Sequence, residues 1–281
     1  MLTKVFLWIN SLFKVKSHPF NETKNGLFDL NYTDFEYNHT ANLLKEYEKV
    51  IDINVLKNAK ILDIWCWWGG KSIYVAEKFD ANVVWIDLNL TFLSQATQKS
   101  KELWVENKVN FYEKDALNTW FNDEEFDVLI LSDVIEHIPN TKDFLIECFR
   151  ILKKWGIILF DFAPYYHYYW HHIWDSIRIP WLHLFTSEKF RINLYKQSVL
   201  KLIDWDKRIS LKIWLNKDKQ ESFTYLNRIT RSKFEHIIYE ISTLYSSQNI
   251  HYYMLKNINI FSKIPLLREV FIRHIVWVIR K

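Results

Sequence analysis

The sequence predicts an α/β fold in which a mostly parallel sheet is covered by helices on both faces. Strands buried on both faces read as unbroken apolar runs, because helices shield them from water on either side. Five such runs occur, at residues 60–65, 82–87, 109–114, 126–132 and 157–162. Helical patterns separate most of them, at residues 71–78, 91–103 and 143–152. This alternation is typical of βαβ units.

The two ends of the chain extend this core. A helix at 232–244 precedes two short strands, 250–255 and 275–279, which complete a seven-stranded sheet with one antiparallel strand. Residues 1–40 are predicted as an N-terminal helical extension, and helical spacing resumes at 41–53. Residues 165–228 are rich in aromatic residues and lack clean periodicity, so they are predicted as a cap inserted late in a domain that spans 41–281.

Composition narrows the class of partner and the compartment. The chain has 37 Lys and Arg against 33 Asp and Glu, and no basic stripe, which argues against a nucleic-acid partner. Two cysteines make no disulfide framework, so a reducing, cytoplasmic setting is expected. The apolar run at 5–9 is too short to span a bilayer. That run, and basic residues interleaved with apolar ones at 263–273, leave peripheral membrane contact open. The oligomeric state is not readable.

The counts of glycine and tryptophan are abnormal. The chain has 4 glycines and 14 tryptophans in 281 residues. Average usage of about 7% would give roughly 20 glycines in this length. Tight turns require glycine, and a fold built from βαβ units has many of them. Some tryptophans therefore stand where the fold needs glycine.

The turn after the first strand is the most informative segment. Residues 61–72 read ILDIWCWWGGKS and lead from that strand into the first helix of the sheet. In doubly wound folds, nucleotides bind in the crevice beyond the carboxyl ends of the strands. The backbone must turn sharply there and approach the ligand closely, which bulky side chains prevent.

With glycine at 65 and 67, this segment resembles motif I of class I S-adenosylmethionine-dependent methyltransferases, the small-molecule and quinone-biosynthesis type. Further family-like motifs follow in order. Asp87 ends the second strand 22 residues after Trp65, and the pair Asp115–Ala116 follows the third. FDVLILSDVIEHIPN at 126–140 resembles the fourth-strand motif, and RILKKWG at 150–156 resembles the turn before the fifth strand.

The resemblance implies a Rossmann-like seven-stranded domain that binds S-adenosylmethionine. It further implies methyl transfer to an oxygen, nitrogen or carbon atom of a small or lipid-like acceptor. Asp87 would bind the ribose, Asp115 and Ala116 the adenine, and Asp63 the loop near the methionine end. The full set of implied cofactor-binding residues is Asp63, Trp65, Cys66, Trp67, Gly69, Asp87, Leu88, Asp115, Ala116 and Ser132.

The misplaced tryptophans suggest a decoding hypothesis, in which UGA codons read as glycine in the source were translated as tryptophan. Glycine is expected at five positions, Trp65, Trp67, Trp85, Trp104 and Trp155. Trp104 in particular lies just past the second helix of the sheet, at the usual position of a helix-terminating glycine. Further candidates are Trp120, Trp170 and Trp174, whereas Trp68 and Trp181 could be genuine.

Two histidines are predicted as catalytic bases. His137 follows the fourth strand, and His171 lies in the aromatic segment after the fifth. Asp133, Glu136 and His137 share one face of a helical turn, but two or three ligands on one turn do not close a metal site. No metal is therefore expected. Helix capping by Asp133 beside a positioned histidine is the structural alternative.

Two other functional classes stay open. A glycine-rich turn of this kind would also suit an NAD(P)-binding oxidoreductase. If Trp65 and Trp67 are genuine, the chain is a pseudoenzyme whose cofactor pocket is blocked.

Overall fold

A computed structural model provides the structure of the chain. The structure describes residues 2–13, 23–24, 27–28, 32–64, 68–88, 93–216, 218–223, 226–245, 249–257 and 268–281. Trp65, Cys66 and Trp67 lie outside these ranges.

Ten helices and eleven strands occur in the described residues. The helices are α1 (Leu2–Ser11), α2 (Tyr32–Tyr47), α3 (Gly70–Phe79), α4 (Leu93–Glu102), α5 (Thr141–Ile151), α6 (Leu182–Phe185), α7 (Glu188–Val199), α8 (Trp205–Lys212), α9 (Arg231–Leu244) and α10 (Arg268–Phe271). The strands are β1 (Thr23–Lys24), β2 (Leu27–Phe28), β3 (Lys60–Ile64), β4 (Asn82–Asp87), β5 (Val109–Glu113), β6 (Phe126–Ser132), β7 (Leu152–Phe162), β8 (Ile213–Leu215), β9 (Glu221–Phe223), β10 (Asn249–Asn257) and β11 (Ile272–Arg280). Two short 3₁₀ helices, Ile53–Leu56 and Ile135–His137, complete the elements.

The main sheet has seven strands in the order β10-β11-β7-β6-β3-β4-β5. Pairing is parallel from β7 through to β5, and β11 runs antiparallel to both β7 and β10. The predicted fold class is confirmed, including the single antiparallel strand near the C-terminus. Its five parallel core strands place their carboxyl ends at one edge, where ligands bind in this kind of sheet.

Alternate residues of the strands contribute to two separate hydrophobic layers, one on each face of the sheet. In β3, Ile61 packs with α2 and α3 on one face, whereas Leu62 and Ile64 pack with α5 and α9 on the other. In β6, Val128 and Leu129 divide between the faces in the same way. The period of two positions each apolar side chain against a helix, and burial on both faces explains why these runs contain so few polar residues.

The aromatic segment after β7 forms a cap with a core of its own. Residues of α6 and α7 pack with Ile173, Ile177 and Ile179 in this second core. Helix α1 also belongs to it, because Phe6 meets Phe190 with ring centroids 5.0 Å apart. Within the predicted N-terminal extension, residues 1–40, the described elements are α1, the two short strands β1 and β2, and the first part of α2, so the predicted boundary at 40/41 falls inside α2. Among the described residues, no helix combines the length and the apolar character needed to cross a bilayer.

Tryptophan occupies left-handed backbone at several turns. Of the ten non-glycine residues with positive φ in the described ranges, four are tryptophans: Trp104 (58°), Trp120 (61°), Trp155 (68°) and Trp181 (55°). A bulky side chain in this region of φ is an outlier, because its Cβ crowds the backbone. Trp181, which the sequence left open as a genuine tryptophan, shares this conformation. Trp85, Trp170 and Trp174 do not.

Trp104 terminates α4 in the manner that glycine normally does. Its N–H donates to the carbonyl oxygen of Lys101 at 3.1 Å, and the N–H of Val105 donates to that of Ser100 at 2.9 Å. These are the two hydrogen bonds of a Schellman motif, in which the left-handed residue is usually glycine. The predicted helix-terminating position of Trp104 is confirmed, and its side chain is 85% exposed.

We predict that glycine stabilises these left-handed positions. At Trp155, which is 69% exposed, the glycine variant should have a free energy of unfolding about 1 kcal/mol above that of the alanine variant, because only alanine keeps the strained Cβ. The control is Trp214, which is 54% exposed in strand β8. There the order should reverse by about 0.5–1 kcal/mol, since glycine weakens a strand. Urea unfolding of the four variants measures both differences, and alanine being the more stable at 155 would contradict the prediction.

Candidate active site

The carboxyl end of β3 carries a buried carboxylate. Asp63 is fully buried, and its Oδ2 accepts a hydrogen bond of 2.6 Å from the hydroxyl of Ser72 on α3. Its Oδ1 has no partner in the described part of the chain. A buried carboxylate oxygen is costly unless it is hydrogen-bonded. The adjoining residues 65–67 lie outside the described ranges, so the predicted loop contacts of Asp63 remain a prediction.

Helix α2 closes over the first turn of α3. Gly69 precedes α3 in left-handed conformation, with φ 71°. A Cβ on Gly70 would lie 2.2 Å from the carbonyl oxygen of Thr33, so only glycine permits this approach. The N–H of Gly70 donates to Oε2 of Glu36 at 3.1 Å, which supplies an acceptor to the helix N-terminus. No motif or spacing in the sequence predicted that Glu36 would reach this turn.

A second buried carboxylate lies near the end of β7. The Tyr47 hydroxyl donates to Oδ2 of Asp161 at 2.9 Å, and the Ser132 hydroxyl donates to Oδ1 at 3.1 Å. Burial, with Asp161 beside it, raises the pKa of Tyr47, so the phenol stays a donor. Asp161 was missed in the sequence, although a lone carboxylate within a buried strand was a usable signal. Ser132, a predicted cofactor residue, is thereby tied to this edge.

The other predicted cofactor residues lie along the same edge of the sheet. Asp87 ends β4 and is almost fully buried, whereas Leu88 after it is 57% exposed. Asp115 follows β5 in an exposed turn and accepts a hydrogen bond of 2.9 Å from the N–H of Leu117. Ala116 packs partly against the core. The structure thus gathers Asp63, Asp87 and the Asp115 turn at successive strand ends. Their contacts with a cofactor remain predictions.

This edge concentrates negative charge. The pKa of Glu36 is raised to about 8, mainly by burial and in addition by the negative charges of Asp63 and Asp133, against the opposing effects of Lys71 and the Gly70 N–H. Burial, and after it the charges of Asp133 and Asp161, raise the pKa of Glu136. Carboxylates that raise the pKa of a neighbouring acid indicate a negative potential, which a cation bound there would neutralise.

The two predicted catalytic histidines have different surroundings. His137 ends the 3₁₀ helix after β6, and its ring lies edge to face with that of His172, centroids 5.0 Å apart. His171 is buried in the cap: its Nδ1 accepts from the Ile173 N–H at 3.3 Å, and its Nε2 lies 3.4 Å from the Ile179 carbonyl oxygen. The pKa of His171 is lowered to about 3, mainly by burial and in addition by the nearby His183. His171 thus has the contacts of a structural residue, and its role as a base remains a prediction.

Comparison with known proteins identifies the part of the chain that matches a known family. Residues 62–160, from β3 into β7, match the family described as "Methyltransferase domain". Phosphoethanolamine N-methyltransferase 1 of Arabidopsis thaliana is 33% identical over 120 residues, which are 43% of this chain and 24% of that protein. Tocopherol O-methyltransferase of the same plant is 31% identical over 103 residues, 37% of this chain and 30% of that protein. The match to the first relative thus spans about a quarter of its length.

Solved structures share the fold over most of the chain. An S-adenosylmethionine-dependent methyltransferase from Archaeoglobus fulgidus superposes with a TM-score of 0.51 at 11% identity, covering 88% of this chain and 94% of that one. A Listeria monocytogenes protein, described as an S-adenosylmethionine-dependent methyltransferase, gives a TM-score of 0.52 at 17% identity, covering 86% of this chain and 97% of that one. At such identities the likeness establishes the fold. The NAD(P)-dependent oxidoreductase alternative is not favoured. The family match over residues 62–160 shows that this part of the chain is similar to a methyltransferase domain, and the solved structures show that the chain shares the fold of S-adenosylmethionine-dependent methyltransferases.

Proposed function

We propose that this chain is an enzyme that transfers a methyl group from S-adenosylmethionine to an oxygen, nitrogen or carbon atom of a small or lipid-like acceptor in the cytoplasm. The observation that carries the proposal is the presence of Asp63 and Asp87 near the carboxyl ends of two neighbouring parallel strands, β3 and β4, within the matched segment. The relatives named above act on phosphoethanolamine and tocopherol, which supports an acceptor of low molecular weight.

The residues present fit this cofactor. Asp63 has a buried carboxylate oxygen without a partner in the described part of the chain. Asp133 adds negative charge at the same edge. S-adenosylmethionine, when bound, supplies a methyl group on a cationic sulfur, and the acidic edge is complementary to that charge. Asp87, buried at the end of β4, would bind the ribose hydroxyls. Asp115 and Ala116 would border the adenine.

The contribution of the chain to catalysis is chiefly positional. Holding the acceptor atom in line with the transferred group removes much of the entropic barrier. The acceptor would enter between β6, β7 and the cap, where His137 and the residues after β7 converge. His137 is the candidate base for an acceptor that must lose a proton.

We also propose that the source reads glycine at the left-handed tryptophans and at Trp65 and Trp67. The four positive φ values support glycine at 104, 120, 155 and 181. Two of these residues, Trp104 and Trp120, are more than three-quarters exposed, so they bury little apolar surface.

The coding DNA tests this substitution directly. We expect UGA codons at positions 65, 67, 104, 120, 155 and 181, and UGG at Trp68, which is buried in the core. UGG at the first six positions would contradict the proposal and would favour a chain whose pocket is blocked.

Donor binding tests the function. In the double variant Trp65→Gly, Trp67→Gly, S-adenosylhomocysteine at about 100 times its Kd should stabilise the fold by about 2.7 kcal/mol. NADH should cause no shift. Thermal unfolding measures both. Stabilisation by NADH alone would overturn the assignment.

A matched pair of variants locates the donor site within the same experiment. Asp87→Asn should weaken S-adenosylhomocysteine binding by about tenfold, because a charge-assisted hydrogen bond is lost. Asp218→Asn changes an exposed carboxylate in the β8–β9 turn and should leave the affinity unchanged. Equal affinities in the two variants would exclude Asp87 from the site.

Glu36 should make the unliganded fold sensitive to pH. A carboxyl group with a pKa of about 8 in the folded state and about 4.5 in the unfolded state keeps its proton only when folded in that interval. Its contribution is therefore fully present below pH 4.5 and is lost as pH rises towards 8. The loss is at most about 1.4 kcal/mol per pH unit, and less here because the side chain is partly exposed. Urea unfolding between pH 5 and 8 should show a smaller decline in Glu36→Gln, and parallel curves would refute this role.

A further inference from the structure

Three potential metal ligands converge beside the proposed acceptor entrance. Glu136 and His137 lie on the 3₁₀ helix after β6, and His172 lies in the cap, 35 residues further along the chain. One ligand atom from each side chain lies within 4.8 Å of the other two. The sequence predicted no metal site, because one turn alone could not close it; the third side chain comes from the cap.

Glu136 is the residue that most needs a partner. It is fully buried, and neither of its carboxylate oxygens forms a hydrogen bond of good geometry with the described residues. Burial raises its pKa, and Asp133 raises it further, against a weak opposing effect of backbone N–H groups. Buried carboxylates without hydrogen bonds occur where they are protonated or bind a cation. The nearest basic group is His172, whose Nε2 lies 3.9 Å from Oε1.

The spacing of these side chains is close to that of a metal site. Ligands of a tetrahedral ion with bonds of about 2.1 Å lie about 3.4 Å apart. The Glu136–His172 distance of 3.9 Å is therefore within a small side-chain rotation of coordination. A neutral imidazole ring has a lone pair to give to a metal ion, and the partly exposed His172 ring lies beside that of His137, with centroids 5.0 Å apart.

The turn that carries two of the ligands is held rigidly. The side-chain amide of Asn227 donates to the carbonyl oxygens of Ile135 at 2.6 Å and Ile138 at 2.8 Å. The N–H of Asn227 donates to the carbonyl oxygen of Glu136 at 2.7 Å. Asn227, at the far end of the cap, thus holds the backbone of the whole 3₁₀ helix in place by three hydrogen bonds. A fixed backbone of this kind is what a preorganised ligand set requires.

We propose that Glu136, His137 and His172 form a binding site for one first-row divalent transition-metal ion. Two imidazoles and one carboxylate suit Zn²⁺, Mn²⁺ or Fe²⁺ and are a poor match for Mg²⁺ or Ca²⁺, which prefer oxygen ligands. Three protein ligands leave a fourth position for an oxygen atom of water or of an acceptor. A coordinated His137 cannot act as a base, so the two roles exclude each other.

Zinc titration of the full, tag-free chain after dialysis against a chelator tests the site. Competition with a fluorescent zinc indicator should give one Zn²⁺ per chain. Glu136→Gln and His172→Asn should each weaken binding by about tenfold or more. Asparagine is the chosen replacement for His172 because it tolerates the left-handed backbone there, φ 53°. Mg²⁺ at the same concentration should not compete.

The control is a histidine–glutamate pair elsewhere on the chain. His236 and Glu240 on α9 lie 3.5 Å apart and are largely exposed, so His236→Gln should leave zinc affinity unchanged. Thermal unfolding without metal checks the variants; Glu136→Gln should be no less stable, because it removes an unpartnered carboxyl. If Glu136→Gln does not fold, the zinc affinity of the His172→Asn variant, which changes a partly exposed residue, tests the proposal by itself.

Absence of stoichiometric binding, or zinc affinity that survives both ligand substitutions, would overturn the proposal. So would competition by Mg²⁺ equal to that of Zn²⁺. Metal binding is measured without methyl transfer, so its failure would leave the proposed function untouched.

Discussion

The approach of helix α2 to the start of α3 is the contact on which the site depends. Residue 70 must lack a Cβ because the carbonyl oxygen of Thr33 occupies that space, and Glu36 then meets the free N–H of the turn. This packing fixes the end of β3, where Asp63 is buried against Ser72. One steric requirement at a single glycine therefore sets the position of helix α2 against α3, next to the first carboxylate.

The strand ends share a second constraint, the accumulation of negative charge. A parallel sheet brings the carboxyl ends of its strands to one edge, and here those ends carry Asp63, Asp87 and Asp161. Tyr47 and Ser132 offset part of the cost by donating to Asp161. What remains favours a positively charged ligand, since buried carboxylates require either protons or cations. The proposed sulfonium cofactor and the proposed metal ion would each neutralise part of this negative charge, at different places along the edge.

The cap links the two halves of the site. Its hydrophobic core, with helix α1 packed on it, is separate from the two hydrophobic layers of the sheet. Its first turns nevertheless bring His172 to the residues that follow β6, and Asn227 at its far end clamps the same turn. Substrate entrance and candidate metal ligands are thus set by a segment with little periodicity of its own.

The sequence by itself determined the local features. Near-continuous apolar runs identified the strands of the core, and the motif order identified the edge at which Asp63 and Asp87 lie. The position of Trp104 at the end of α4 was also legible, because helix termination is a local property of the backbone. Only the tertiary structure brought Glu36 to the α3 turn and His172 to Glu136. Those contacts join residues more than thirty positions apart, and such proximity depends on how whole elements pack, which no local pattern records.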